Sequence, residues 1–210
     1  MKFAIGTKLE MSHMFNEEGR ANAVTLVRVE PFTVTQIKTK DKDGYEAVQV
    51  AAGSKKHLTK PLQGHLKKAN LQSARWMREF RINGKWQMAN GESQMAIGKK
   101  LDASLFEKGD MVQVSGVVKG RGFQGVVKRH GFHGAPATHG TKHAHREPGS
   151  IGSTGPQKVA KGRRMGGRMG GKRVTIKNLI IADVLAEKNL LVLTGAVPGH
   201  RGSLLEIRGK

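Results

Sequence analysis

Gly120-Arg-Gly-Phe-Gln-Gly125 reads as G-x-G-x-x-G, a spacing that lets backbone close on a pyrophosphate at the start of a helix. It follows a predicted strand, and Phe123–Arg129 suits a helix start. The rest of a dinucleotide site is missing: no second strand pattern comes within about thirty residues, and no acid stands about twenty residues on to hold a ribose. A plainer chemistry fits better. Small residues let backbone approach a phosphate, while Lys119, Arg121, Lys128 and Arg129 supply the charge.

The histidines invite a metal reading. His130 and His133 stand three apart, and His139, His143 and His145 follow closely. Imidazole suits zinc, but the chain has no cysteine, and the one carboxylate between 119 and 173 is Glu147. Neutral or protonated imidazoles stacking on bases or bonding phosphate oxygens are the better expectation, with no metal and no cofactor. Ser150 and Ser153 have histidines nearby in sequence but no third group to orient a base. No catalytic residue, no enzyme and no small-molecule substrate are expected.

Gly162-Arg-Arg-Met-Gly-Gly-Arg-Met-Gly-Gly-Lys-Arg173 carries five positive charges and five glycines in twelve residues. Such a ribbon is thin, bendable and cationic. It lies inside the chain, flanked by predicted strands, so both ends are anchored. The anchored basic stretch as a whole, 55 residues from Lys119 to Arg173, is uncommonly long unless functional, and neutralising phosphates is what such loops do. Its candidate phosphate contacts are Lys119, Arg121, Lys128, Arg129, Lys142 and Arg146 on the way out. On the way back they are Lys158, Lys161, Arg163, Arg164, Arg168, Lys172 and Arg173. The stretch between, Gly149–Gln157, has no basic residue.

The elements that must hold this segment lie on either side. Over 210 residues the formal charge is +21, which points first to nucleic acid. The 55 residues from Lys119 to Arg173 hold 13 basic residues and one acid, for a net +12, and 14 of the 28 glycines. A stretch this polar buries too little surface to offset its ordering entropy, so the flanks must fold and carry it. The absence of cysteine excludes disulfide scaffolds and thiolate sites and fits a reducing, cytoplasmic interior. Apolar runs are too short for a membrane span, so no membrane partner is expected.

Strand patterns fall at Val24–Glu30, Phe32–Lys38, Tyr45–Val50, Met111–Val118, Val174–Ala182, Leu190–Leu193 and Leu204–Ile207, separated by glycine and aspartate turns. Together they predict a mainly β fold, a closed or nearly closed antiparallel barrel. Lys55–Pro61 and Leu66–Leu71 read as short basic helices, and Trp76–Ile82 as a further strand. The expected division is a barrel core from 1–52, 96–129 and 174–210, a small α+β insertion at 53–95, and an extended basic loop at 130–173.

These residues are also similar to a known family. Gly6-Thr-Lys-Leu-Glu-Met-Ser-His-Met-Phe15, Val34–Thr39, Asp43–Val50, Lys60–Ala69, Lys119–Arg129, His145-Arg-Glu-Pro-Gly-Ser-Ile-Gly152 and Gly195–Gly199 resemble, in order and along nearly the whole chain, the bacterial branch of the ribosomal protein L-three family. The resemblance implies a translation-protein type β-barrel with an inserted α+β piece on the solvent side of the large ribosomal subunit. It implies direct binding to large-subunit (23S) rRNA near its 3′ end, early in assembly, with neighbouring large-subunit proteins as partners. It also implies a loop running into the rRNA, its tip (Gly152, Ser153, Thr154, Gly155, Pro156 and Gln157) close to the peptidyl transferase centre. Two departures stand out. Relatives often carry a methylated glutamine a few residues beyond Gly-Ser-Ile-Gly; here Ser153–Gln157 follows, one residue shorter, with Gln157 directly after Pro156. Glu10 stands where relatives usually have glycine, which should alter the first turn. The alternative from another class is a cationic nucleic-acid chaperone or DNA-compacting protein outside the ribosome.

Overall fold

A computed structural model describes residues 2–16, 18–82 and 96–209. The part of the expected insertion at 83–95 lies outside the described residues. Twelve strands are described: β1 Phe3–Phe15, β2 Ala21–Val29, β3 Phe32–Lys38, β4 Ala47–Ala52, β5 Trp76–Arg81, β6 Lys100–Leu101, β7 Met111–Val117, β8 Phe123–Gln124, β9 Gly167–Arg168, β10 Arg173–Leu185, β11 Leu190–Thr194 and β12 Leu204–Gly209. The α-helices are α1 Lys40–Asp43, α2 Lys60–Lys67 and α3 Val126–His130. None of the described helices is long and apolar enough to cross a membrane. By contacts the chain divides into two compact units, Met1–Val117 with Arg173–Lys210, and Val118–Lys172.

In the first unit six strands pair antiparallel in a closed ring, β1-β12-β7-β10-β11-β2. Alternation explains most of it. Val112, Val114, Ile207, Leu205, Leu191, Leu193 and Val27 point inward and are buried, each contributing roughly 1.5–3 kcal/mol of transfer free energy. β3 and β4, grouped with the barrel on sequence grounds, pair instead with β5 and β6 in a separate four-stranded sheet, β5-β4-β3-β6. Phe3 of β1 ties the two sheets together: its ring stacks on Phe80 at 4.7 Å and tilts against Phe32 at 5.9 Å. The two expected basic helices are one, α2. Pro61 sits in its first turn, where a missing N–H costs nothing, and Leu66 buries against Ala51 and Ala74.

β1 has no clean alternation in sequence, and three features hide it. Gly6 occupies an inward position where a Cβ would stand 2.7 Å from Val27 Cγ1 and 2.9 Å from the Arg28 carbonyl oxygen. A bulge between Lys8 and Glu10 shifts the register against β2. Lys8 itself is buried, its Nζ donating to the carbonyls of Val197 at 2.9 Å and Gly199 at 3.3 Å. Glu10 does not shape a turn: it lies within β1 at the bulge and faces Arg201 at 3.6 Å.

Candidate nucleic-acid interface

Val118–Lys172 leaves the ring from the end of β7 and returns at the start of β10. Its base is a two-stranded antiparallel zip. Val118 N–H donates to Lys172 O (3.0 Å), Gly171 N–H to Val118 O (3.1 Å), Arg121 N–H to Met169 O (2.9 Å) and Met169 N–H to Gly122 O (2.9 Å). β8 and β9 continue it, with Phe123 opposite Arg168. Small residues make this approach possible. Gly170 has φ +73°, and a Cβ there would overlap the Lys119 carbonyl oxygen. Close pairing of the two basic arms thus turns on Gly170 of the return arm, whereas a Cβ at Gly120, Gly122 or Gly125 of the G-x-G-x-x-G run would meet nothing within 4 Å. Gly125 leads directly into α3, whose Val126 is buried.

Above the base the outgoing arm folds on itself. Ala135 N–H donates to His145 O at 3.3 Å, and that carbonyl presses on Gly134, whose φ is +78°. His139 takes a positive φ of 58°. The five histidines do not converge: among the described residues no group of three or more His, Cys, Asp or Glu could hold a metal ion. At the tip, residues 149–160 are all exposed. Ser150 Oγ donates to Gly152 O at 2.9 Å, and Gln157, at φ +50°, closes a turn onto Thr154 O at 3.3 Å.

The cations divide into two sets. Arg129 Nη1 donates to Met165 O at 2.6 Å, and His130 Nε2 lies 3.0 Å from the same oxygen; both residues are half-buried. Arg163 Nη2 donates to Ser150 O, tying the return arm to the tip. Arg173 lies in the first unit, paired with Glu206. These four orient backbone or a carboxylate, Arg163 and Arg173 while still exposed. Lys119, Arg121, Lys128, Lys142, Arg146, Lys158, Lys161, Arg164, Arg168 and Lys172 are exposed, as are His133, His139 and His143. Among the described residues no ion pair forms within this unit, so its charge is uncompensated internally and available to an external polyanion.

One surface residue was missed from sequence. Phe123 is 78% exposed on β8, its ring over Gly166 and its backbone opposite Arg168. An aromatic between Arg121 and Lys128, set among glycines, was the signal.

Residues 32–189 match the family described as Ribosomal protein L3. Full-length relatives agree. The chain is 44% identical to the large ribosomal subunit protein uL3 of Acidothermus cellulolyticus, over 99% of this chain and 92% of that protein. It is 46% identical to that of Nostoc sp. over 97% and 94%, and 43% identical to that of Streptococcus pyogenes over 99% and 96%. With a closed β ring, a zipped basic excursion and this identity along both, the chain belongs to the ribosomal protein uL3 family.

Proposed function

We propose that this chain is a structural constituent of the large ribosomal subunit. It binds 23S rRNA directly near the 3′ end, helps nucleate subunit assembly and extends its basic loop toward the peptidyl transferase centre. The observation that carries this reading is identity of 43–46% over nearly the whole chain to proteins named as large-subunit uL3. The ring corresponds in this reading to a translation-protein type β-barrel, the four-stranded sheet with α2 to its α+β insertion, and the basic segment that ends at Lys172 to the working loop.

The mechanism is charge neutralisation by a preformed cationic excursion. The exposed lysines and arginines release counterions from phosphates. Arg129, His130 and Arg163 keep the arms in shape, so less order has to be gained on binding. Phe123 offers a ring face on which an unpaired base can stack. The tip holds small neutral residues suited to a crowded place. Sedimentation of salt-washed ribosomal subunits tests the reading. The chain should leave cells with large subunits, one copy each, and stay bound at moderate salt. Recovery with bulk DNA or free RNA instead would favour a chaperone or DNA-compacting role.

A further inference from the structure

A cleft of about 440 Å³ opens in the first unit, where β5 of the four-stranded sheet meets β7, β12 and the first residue of β10. Glu206 lies at its floor with its side chain only 13% exposed. Its Oε1 accepts from Arg78 Nε at 3.0 Å, and its Oε2 accepts from Arg173 Nη2. Arg78 is fixed further by Nη1 donating to Met77 O at 2.8 Å. Arg208 stands two residues beyond Glu206 on β12, on the same face of the strand. Its guanidinium packs over Phe80, 5.2 Å from the ring centroid, and reaches the Glu79 carbonyl at 3.4 Å. Glu79 also lines the cleft, but Lys38 neutralises it at 2.8 Å.

Three guanidiniums therefore share one carboxylate, which leaves the cleft with an excess of positive charge. Arg78 and Arg173 line the cleft with side chains 42% and 54% exposed, and each guanidinium is a fork matched to a phosphate. Burial holds Arg208 below its ordinary range against the pull of Glu206, and Arg173 and Arg81 nearby add to the lowering. A second anion in the cleft would relieve that strain.

We propose that this cleft is a second phosphate site, separate from the basic loop, in which Arg78, Arg173 and Arg208 take a backbone phosphate of an RNA strand. Glu206 acts as a positioning residue that turns two of the forks toward one point. The proposal rests on the reading of the chain as an rRNA-binding protein and adds an anchor on the ring itself.

The test is a salt series of binding between the full chain and transcribed 23S rRNA, with melting temperature recorded for each variant. Arg78→Gln should lower the log–log salt slope by about 0.7–0.9 and weaken binding about five- to tenfold at fixed salt, while Arg78→Lys retains the slope. Arg20→Gln, an exposed arginine paired with Glu18, should leave the slope unchanged. A slope for Arg78→Gln equal to that of Arg20→Gln overturns the proposal, whether or not the melting temperature falls. Low-millimolar inorganic phosphate that stabilises the chain without any slope change in Arg78→Gln marks a free-anion site and also overturns it. Failure of the unmodified chain to prefer 23S rRNA over polyadenylate strikes the functional reading instead.

Discussion

Replacing Gly170 with alanine tests whether the zipped base organises the loop. Two costs add. At φ +73° an L-residue pays roughly 1–2 kcal/mol, and the new Cβ overlaps the Lys119 carbonyl oxygen and stands 3.1 Å from Gly120 Cα. Both neighbours are backbone, so relief requires the arms to part. Four backbone hydrogen bonds hold them, with a net worth of about 1 kcal/mol each. The penalty therefore rivals the zip while leaving the ring untouched. Hydrogen exchange should show loss of protection at the Arg121, Met169 and Gly171 amides, with β7 and β12 unchanged. Trypsin should cut earlier at Lys119, Arg121 and Lys172. Gly120→Ala is the matched control, since no atom outside its chain neighbours lies within 4 Å of a Cβ there and its φ is not positive. Unchanged protection in Gly170→Ala would refute the claim that close backbone approach at this glycine sets the base.

Arg164 is exposed, and among the described residues no bond of its side chain is seen; Arg164→Ala should lower the salt slope of rRNA binding by about 0.7–0.9. Phe123→Ala should leave the melting temperature unchanged and weaken binding to single-stranded RNA about tenfold, within the roughly 1–3 kcal/mol of one stacked base. Lys38, donating to Glu79, holds that carboxyl below its ordinary value against the opposing effect of burial, and Tyr45 and Gln49 add to the lowering. A depressed carboxyl stabilises fully above its unfolded value near 4.5 and loses this as pH falls through the folded value. Glu79→Gln should therefore cost stability at pH 7 and flatten the acid limb of a melting-temperature profile. Deleting Ser153–Gly155 should spare subunit incorporation and alter peptidyl transfer, whereas deleting Lys158–Arg173 should impair incorporation first; purified subunits carrying each deletion decide this.

Much of the ring was legible because its strands are short β-branched or apolar runs set between turn residues. Met111–Val117 sets Val112 and Val114 inward on either side of Gln113, and Leu190–Thr194 is a short apolar run; both are bounded by glycine, aspartate or asparagine. β1 was not legible, because Lys8 turns inward to carbonyls nearly 190 residues away in the chain, and no local pattern announces such partners. The separation of β3 and β4 from the ring was equally hidden. It depends on Phe32 and Phe80 meeting Phe3, a choice between sheets that strand propensity leaves open. The loop's charge was plain from composition. Which cations are already engaged was not: Arg129, Arg163 and Arg173 look identical to Arg164 and Arg168 in sequence, and only the folded backbone brings Met165 O, Ser150 O and Glu206 to three of them.

The most direct measurement of the central claim uses the chain's lack of cysteine. Ser153→Cys creates a single thiol at the exposed tip, to which an iron chelate can be attached. Reconstituted large subunits carrying it are then triggered to release hydroxyl radicals, and 23S rRNA cleavage is mapped. Cuts should cluster at the peptidyl transferase centre, with a matched probe at Ala21 of the β1–β2 hairpin cutting elsewhere. Cuts from the tip confined to the solvent side of the subunit, or none above background in subunits that contain the protein, would contradict that claim.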